Sequence, residues 1–270
     1  MIIMDQKKER LDILLVKNGI FESREKAKAE IMCGNVLVNN NVVDKPGTLV
    51  SVESNIALKQ KMCPYVSRGG LKLEKALEVF AVNVRDKVVL DAGASTGGFT
   101  DCMLKRGAKK IYAVDVGYGQ LAYSLREDNR VIVMERENIR HFTLTDVGEQ
   151  VDLITADLSF ISLSKVFNVF YELLKPEGDL ITLIKPQFEV KREEVGKHGV
   201  VKDAKLHVRA ISDVISSANQ CGLYVINLTY SPIKGPKGNI EYLAHFRKDR
   251  TDNSIIDIEA IVNKSHNELS

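Results

Sequence analysis

Two lysines and two carboxylates occupy positions suited to proton chemistry. Asp157 ends the apolar run that starts at Val151, and Lys185 ends Leu183-Ile184-Lys185, with Pro186 directly behind it. Lys72 opens a helical stretch, and Glu241 opens the last apolar run, in Gly238-Asn239-Ile240-Glu241-Tyr242. Ammonium and carboxylate groups brought together can deprotonate or steer a weak nucleophile such as a hydroxyl, or stabilise negative charge developing on it. A lysine that closes an apolar strand and precedes proline is unusual for a purely structural position. Lys185 acting neutral as a base, or charged as an electrostatic stabiliser, are both open on these residues.

A second constellation points to a bound cofactor. Val88-Val89-Leu90-Asp91 runs into Ala92-Gly93-Ala94-Ser95-Thr96-Gly97, and a helical pattern starts near Gly98. Small residues between strand and helix let a ligand approach the backbone closely. The next apolar run, Ile111 to Val114, ends at Asp115. A carboxylate there can accept hydrogen bonds from a ribose, so the pair indicates a nucleoside-containing cofactor. A nicotinamide site would want Gly-x-Gly-x-x-Gly, and position 95 is serine.

The elements that must position these groups alternate. The apolar runs predict strands over 88–92, 110–116, 130–135, 151–157, 179–185, 223–231 and 240–247. Helices are predicted over 71–80, 98–106, 119–127, 163–174 and 203–220, and a last short one over 254–262. Strand–helix alternation indicates an α/β fold with a mostly parallel sheet. Ligands then bind at the carboxyl ends of the strands, which sets Asp157 and Lys185 facing the same crevice as Gly93 and Asp115. Between the last two runs there is only Ser231 to Asn239, too short for a parallel crossover, so the final pair is predicted antiparallel.

The first part of the chain reads as a separate small α+β unit. Helices are predicted over 10–17 and 24–32, the second capped by Ser23, followed by strand-like stretches at 36–38 and 49–52. The expected domains are 7–63, a linker at 64–70 and a catalytic unit at 71–250. The chain has 270 residues, 38 Lys and Arg against 36 Asp and Glu, and a formal charge of +2. Such a balance neither supports nor excludes RNA, because clustered charge can bind it. No run is long enough for a transmembrane helix and no signal segment is visible. Cys33, Cys63, Cys102 and Cys221 show no Cys-x-x-Cys spacing and read as free thiols of a cytoplasmic protein, with no metal site.

Two resemblances add to this. Glu9-Arg10-Leu11-Asp12, Ser23-Arg24-Glu25-Lys26-Ala27, Ile31, Gly34 to Asn39 and Lys45-Pro46-Gly47 resemble the small RNA-binding domain named after a small-subunit ribosomal protein. That family usually has Asn-Gly where this chain has Asn39-Asn40, a pair that tolerates positive φ. The resemblance turns Arg10, Lys17, Arg24, Lys26 and Lys28, with Arg68 in the linker, into candidate RNA contacts. Lys72, Asp157, Lys185 and Glu241, in that order, resemble the tetrad of FtsJ-like ribose 2′-O-methyltransferases. Joined to the small domain, and with Ser67 to Leu73, Asp91 to Thr100, Ile184 to Glu189, Ser231-Pro232 and Gly238-Asn239, the chain resembles the TlyA family, also called hemolysin A.

That resemblance implies a Rossmann-like methyltransferase domain that uses S-adenosylmethionine and methylates cytidine ribose in ribosomal RNA. It implies ribosomal RNA or ribosomal subunits as partner, and no segment is apolar or amphipathic enough to expect a membrane partner. Lys185 would activate the hydroxyl or stabilise its charge, with Asp157 and Glu241 orienting the lysines. Asp91, Gly93, Ala94, Ser95, Gly97 and Asp157 would hold the cofactor. Asp115 would bind its ribose, Val116 and Asn138 would flank the adenine, and Asn138 could equally cap its own loop. Ser67 to Gly70 reads as a hinge, and residues 196–202 as a mobile loop over the crevice. A non-catalytic RNA-binding factor and a membrane-lytic protein are the rival readings, and the oligomeric state is open.

Overall fold

A computed structural model describes residues 7–59, 63–235, 237–249 and 256–269. In the small unit, β1 (Lys8–Arg10) leads into α1 (Leu11–Lys17) and α2 (Arg24–Met32). β2 (Val36–Val38), β3 (Asn41–Val42), β4 (Leu49–Ser51) and β5 (Ile56–Leu58) follow. β1 pairs antiparallel with β4, and β2 lies between β3 and β5. Arg10, expected to be helical, is the extended residue before α1, because its backbone is taken up by pairing with Leu49. Asn39 and Asn40 both have positive φ, 51° and 66°, which carries the chain round the tight β2–β3 turn. Ser23 caps α2 by accepting from the Lys26 N–H. Leu11, Leu15, Ala27, Ile31 and Val36 form the core of this unit.

The large unit begins with α3 (Gly69–Val79), two residues earlier than predicted. Then come β6 (Val88–Ala92), α4 (Gly98–Lys105), β7 (Lys110–Asp115), α5 (Tyr123–Arg126), β8 (Val131–Glu135) and α6 (Leu144–Val147). The chain continues through β9 (Val151–Ala156), α7 (Phe167–Leu173), β10 (Leu174–Ile184), α8 (Pro186–Glu189) and α9 (Ala204–Gln220). It closes with β11 (Tyr224–Tyr230), β12 (Tyr242–Arg247) and α10 (Ile258–Leu269). The predicted helix 254–262 opens on residues outside those described, and the observed α10 runs further. The predicted helix 119–127 is reduced to α5. Gly119 has a φ of 67°, and its N–H donates to the Glu135 carboxylate, so residues 116–122 form a loop instead.

Seven strands form one sheet in the order β11-β12-β10-β9-β6-β7-β8. β6 to β10 run parallel, and β12 is antiparallel to both β10 and β11, as the short connection before it requires. β6 is buried at every residue, which suits its apolar composition and central place. Helices pack on both faces. Leu73, Ala76 and Leu77 of α3 join Phe99 and Met103 of α4 on one side. Ile211, Val214 and Ala218 of α9, at helical spacing, join Phe167 and Phe170 of α7 on the other.

This register decides which residues meet. Ala92 is level with Ala156, Ala156 with Thr182, and Ile184 with Tyr242. Because β12 runs backwards, its first end lies beside the last ends of β6, β9 and β10. Glu241 therefore reaches the edge where Asp157 and Lys185 emerge.

The free-thiol reading needs correction at two of the four cysteines. Cys33, just after α2, and Cys63, thirty residues on, are joined in a disulfide with Cα atoms 5.9 Å apart. The fold returns the chain to the end of α2 here, and no sequence spacing signals that proximity. Cys102 and Cys221 are free.

Candidate active site

Gly93 and Gly97 shape the turn after β6. Gly93 has a φ of 83°, and a Cβ there would lie 2.7 Å from the Asp157 carbonyl oxygen. At Gly97, φ 94°, a Cβ would collide with Leu125 at 2.2 Å. Both positions need glycine by conformation and by space. The turn thus lies directly against the chain leaving β9.

All four residues of the expected tetrad converge at this edge. Lys72 Nζ lies 2.6 Å from Glu241 Oε2, and Lys185 Nζ lies 2.5 Å from Asp157 Oδ1. Lys185 Nζ also donates to Ser159 Oγ at 3.0 Å. Lys72, Lys185 and Glu241 are buried. Burial opposes the charge on Lys72, but Asp157 and Glu241 outweigh it and hold its pKa above the ordinary lysine value. Burial likewise works against an ionised Asp157, and Lys185 followed by Lys72 lowers its pKa below the usual carboxylate value. The four groups form an alternating set of charges that sustain one another.

A cavity of about 570 Å³ opens onto the tetrad. Its wall includes Gly93, Ala94, Ser95 and Thr96 of the turn, together with Lys72, Asp157, Lys185 and Glu241. That volume is within the range of small-ligand sites. Backbone unobstructed by side chains on one wall and charged groups on the other suit a nucleoside-bearing cofactor with its reactive end at the tetrad.

The remaining cofactor candidates are placed differently. Asp91 is fully buried, accepting from Thr100 Oγ1 at 2.6 Å and Thr155 Oγ1 at 3.0 Å, so it braces the turn from below. Asp115 accepts from the backbone N–H groups of Ser95 and Gly117 at 2.8 and 2.7 Å, which ties the turns after β6 and β7 together. Asp115, Val116 and Asn138 are absent from the cavity wall. Val116 is 70% exposed, and Asn138 caps its own turn by accepting from the Arg140 N–H. Gly199 and Asn239 do line the cavity. The loop expected to be mobile is pinned there: Asn239 donates to the Gly199 carbonyl and accepts from the Val201 N–H.

Sequence reasoning missed the aromatic mouth of the cavity. Phe160 is 92% exposed and has a φ of 63°, rare for a bulky residue. Its ring centroid is 5.1 Å from that of Phe188, and both residues line the cavity. Phe160 stands three residues after Asp157, yet only its exposure marks it out, and a sequence does not display exposure.

On the small unit, the candidate RNA contacts are mostly ion-paired. Buried Asp12 holds the half-exposed Arg10 and Arg24 at 2.9 and 2.7 Å, two guanidiniums on one carboxylate. Lys17 pairs with Glu9 and Lys26 with Glu22. Lys28 lies on α2, partly buried. Arg68 approaches Asp44 at 3.4 Å, and both line the cavity, as does Lys45. The small unit therefore forms part of the cavity's rim. Among the described residues, no helix is long and apolar enough to cross a membrane, and no group of three or more His, Cys, Asp or Glu could hold a metal ion.

Comparison with known proteins agrees with this division. The FtsJ-like methyltransferase family profile matches residues 65–248, and the S4 domain profile matches residues 9–56. The 16S/23S rRNA (cytidine-2′-O)-methyltransferase TlyA of Mycobacterium tuberculosis (strain ATCC 25618 / H37Rv) is 43% identical, over 92% of this chain and 93% of its own. Hemolysin A of Brachyspira hyodysenteriae is 45% identical, over 88% and 99%. A solved structure from Streptococcus thermophilus, provisionally assigned as a hemolysin, has a TM-score of 0.78 and 42% identity, covering 97% of each chain.

Proposed function

The chain belongs to the FtsJ-like methyltransferase family and carries an S4 domain, and from that premise we propose that it methylates a cytidine ribose 2′-hydroxyl in ribosomal RNA. The observation that carries this reading is the convergence of Lys72, Asp157, Lys185 and Glu241 beside the glycine turn. The TlyA relative named for this reaction supports the choice of acceptor. The site of action is then wherever ribosomes are, the cytoplasm.

Gly93, Ala94 and Ser95 would hold the cofactor by backbone contact, in the same cavity as the paired charges. When bound, S-adenosylmethionine supplies an electrophilic methyl carbon. Lys185 donates to the acceptor oxygen and stabilises the negative charge that develops on it. The hydroxyl proton passes to a carboxylate oxygen of Asp157 as the hydroxyl oxygen takes the methyl group. Lys72 stands behind the Lys185–Asp157 pair and favours an ionised Asp157, and Glu241 holds Lys72 in place. Holding the hydroxyl in line with the methyl group supplies a large share of the acceleration.

Recognition draws on the small unit and on the aromatic mouth of the cavity. Arg10 and Arg24 share one carboxylate and so offer a net positive fork to phosphates. Phe160 offers an open aromatic face on which an unstacked base can lie. Mass-spectrometric mapping of ribose methylation, after incubating unmodified ribosomal subunits with protein and tritiated S-adenosylmethionine, tests the reading. Methyl groups on cytidine ribose, absent with Lys185→Ala, are expected. Methylation confined to bases or protein would overturn it.

A further inference from the structure

Asp157 and Lys185 sit on separate loops, one after β9 and one after β10, and these loops are tied together away from the reacting atoms. Glu189, at the end of α8, accepts from Ser162 Oγ at 2.6 Å through Oε2 and from the Leu163 N–H at 3.0 Å through Oε1. Leu163 is buried and opens the helical turn Leu163–Lys165, so the loop after β9 is fixed at this point. Phe160 and Phe188 make a second tie between the same loops. The segment so held, residues 157–163, carries both Asp157 and Ser159, the two oxygen partners of Lys185 Nζ. Glu189 itself is absent from the cavity wall. Burial pushes its pKa up, and the two hydrogen bonds oppose that rise. A carboxylate kept in such surroundings with both oxygens engaged is costly unless its bonds hold something in place.

We propose that Glu189 is a positioning residue for methyl transfer: through Ser162 and Leu163 it holds Asp157 and Ser159 at bonding distance from Lys185. This rests on the reading of Lys185 and Asp157 as the methyl-transfer pair. An error of about 1 Å at reacting groups can cost about 10²-fold in rate. The contact is therefore expected in kcat, with binding of either substrate spared.

The test compares Glu189→Ala, Glu189→Asp and Ser162→Ala with wild-type full-length protein, using ribosomal subunits as acceptor. Glu189→Ala is expected to lower kcat by roughly 10–100-fold, with the KM for S-adenosylmethionine and for RNA within about twofold of wild type. Glu189→Asp, which keeps the acceptor oxygens, should recover part of that loss. A kcat for Glu189→Ala within twofold of wild type overturns the proposal, as does a loss that appears only in KM. Should Glu189→Ala not fold, Ser162→Ala decides, since it removes one donor and leaves the carboxylate. It should lower kcat at unchanged Tm, and an unchanged kcat overturns the proposal. Lys185→Ala runs alongside. If it stays active, the methyl-transfer reading itself fails; if it is inactive while Glu189→Ala is not, only the positioning role fails.

Discussion

Lys72 on α3 and Glu241 before β12 are 169 residues apart in the chain and form a 2.6 Å ion pair with almost no exposure. Removing one partner of a buried pair leaves the other charge uncompensated. Glu241→Ala is expected to cost about 3–5 kcal/mol in urea unfolding. The double change Lys72→Met with Glu241→Leu should regain most of that stability without regaining methyl transfer. Recovery of activity along with stability would mean that the pair serves only the fold.

Asp91 gives a pH signature. Burial pushes its pKa up to about 6, and the hydrogen bonds from Thr100 and Thr155 only partly oppose this. A raised acid binds its proton more readily in the native state, so this group adds stability as pH falls from about 6 towards 4. Asp12, Asp157 and Asp179 have lowered values and act oppositely: their contribution is present above the ordinary carboxylate range and is lost as pH falls below it. The stability at pH 4.5 minus that at pH 6.5, from urea unfolding, should be lower by about 2 kcal/mol in Asp91→Asn than in wild type. Identical differences in the two proteins would show that Asp91 does not titrate in this range.

Arg10 and Arg24 are expected to contact phosphates through the faces that Asp12 leaves open. Replacing both with alanine should weaken RNA binding across sequences and reduce the slope of log K against log salt by about 2. The affinity for S-adenosylmethionine should not change. A slope equal to that of wild type would remove these residues from the interface.

Phe160→Ala should weaken productive RNA engagement by about 1–3 kcal/mol, the worth of stacking one base on an aromatic ring. Its exposure makes a folding penalty small, so Tm serves as the control. An unchanged KM and kcat for RNA would leave the strained exposed ring without a role in the reaction.

The disulfide can be counted. Colorimetric thiol titration of denatured, unreduced protein should find two thiols, Cys102 and Cys221, and four after reduction. Four before reduction would mean that Cys33 and Cys63 are thiols in the isolated protein.

The alternation of strands and helices, the glycine turn after β6 and the antiparallel end of the sheet were legible in the residues alone. These are local matters of apolar period, φ at glycine and the reach of a short loop. The sequence also placed Asp157 and Lys185 at strand ends facing one crevice, whereas the grouping with Lys72 and Glu241 rested on the family resemblance. The strands at 8–10, 41–42 and 56–58 escaped notice, because two or three residues show no alternation. Contacts between distant segments were set by the packed fold. It set Lys185 against Asp157 and Ser159, turned Asp91 inward to two threonines, used Asn138 as a cap and joined Cys33 to Cys63. Those outcomes depend on sheet register and on side-chain direction, which arise from packing the whole chain and are encoded in no single stretch of it.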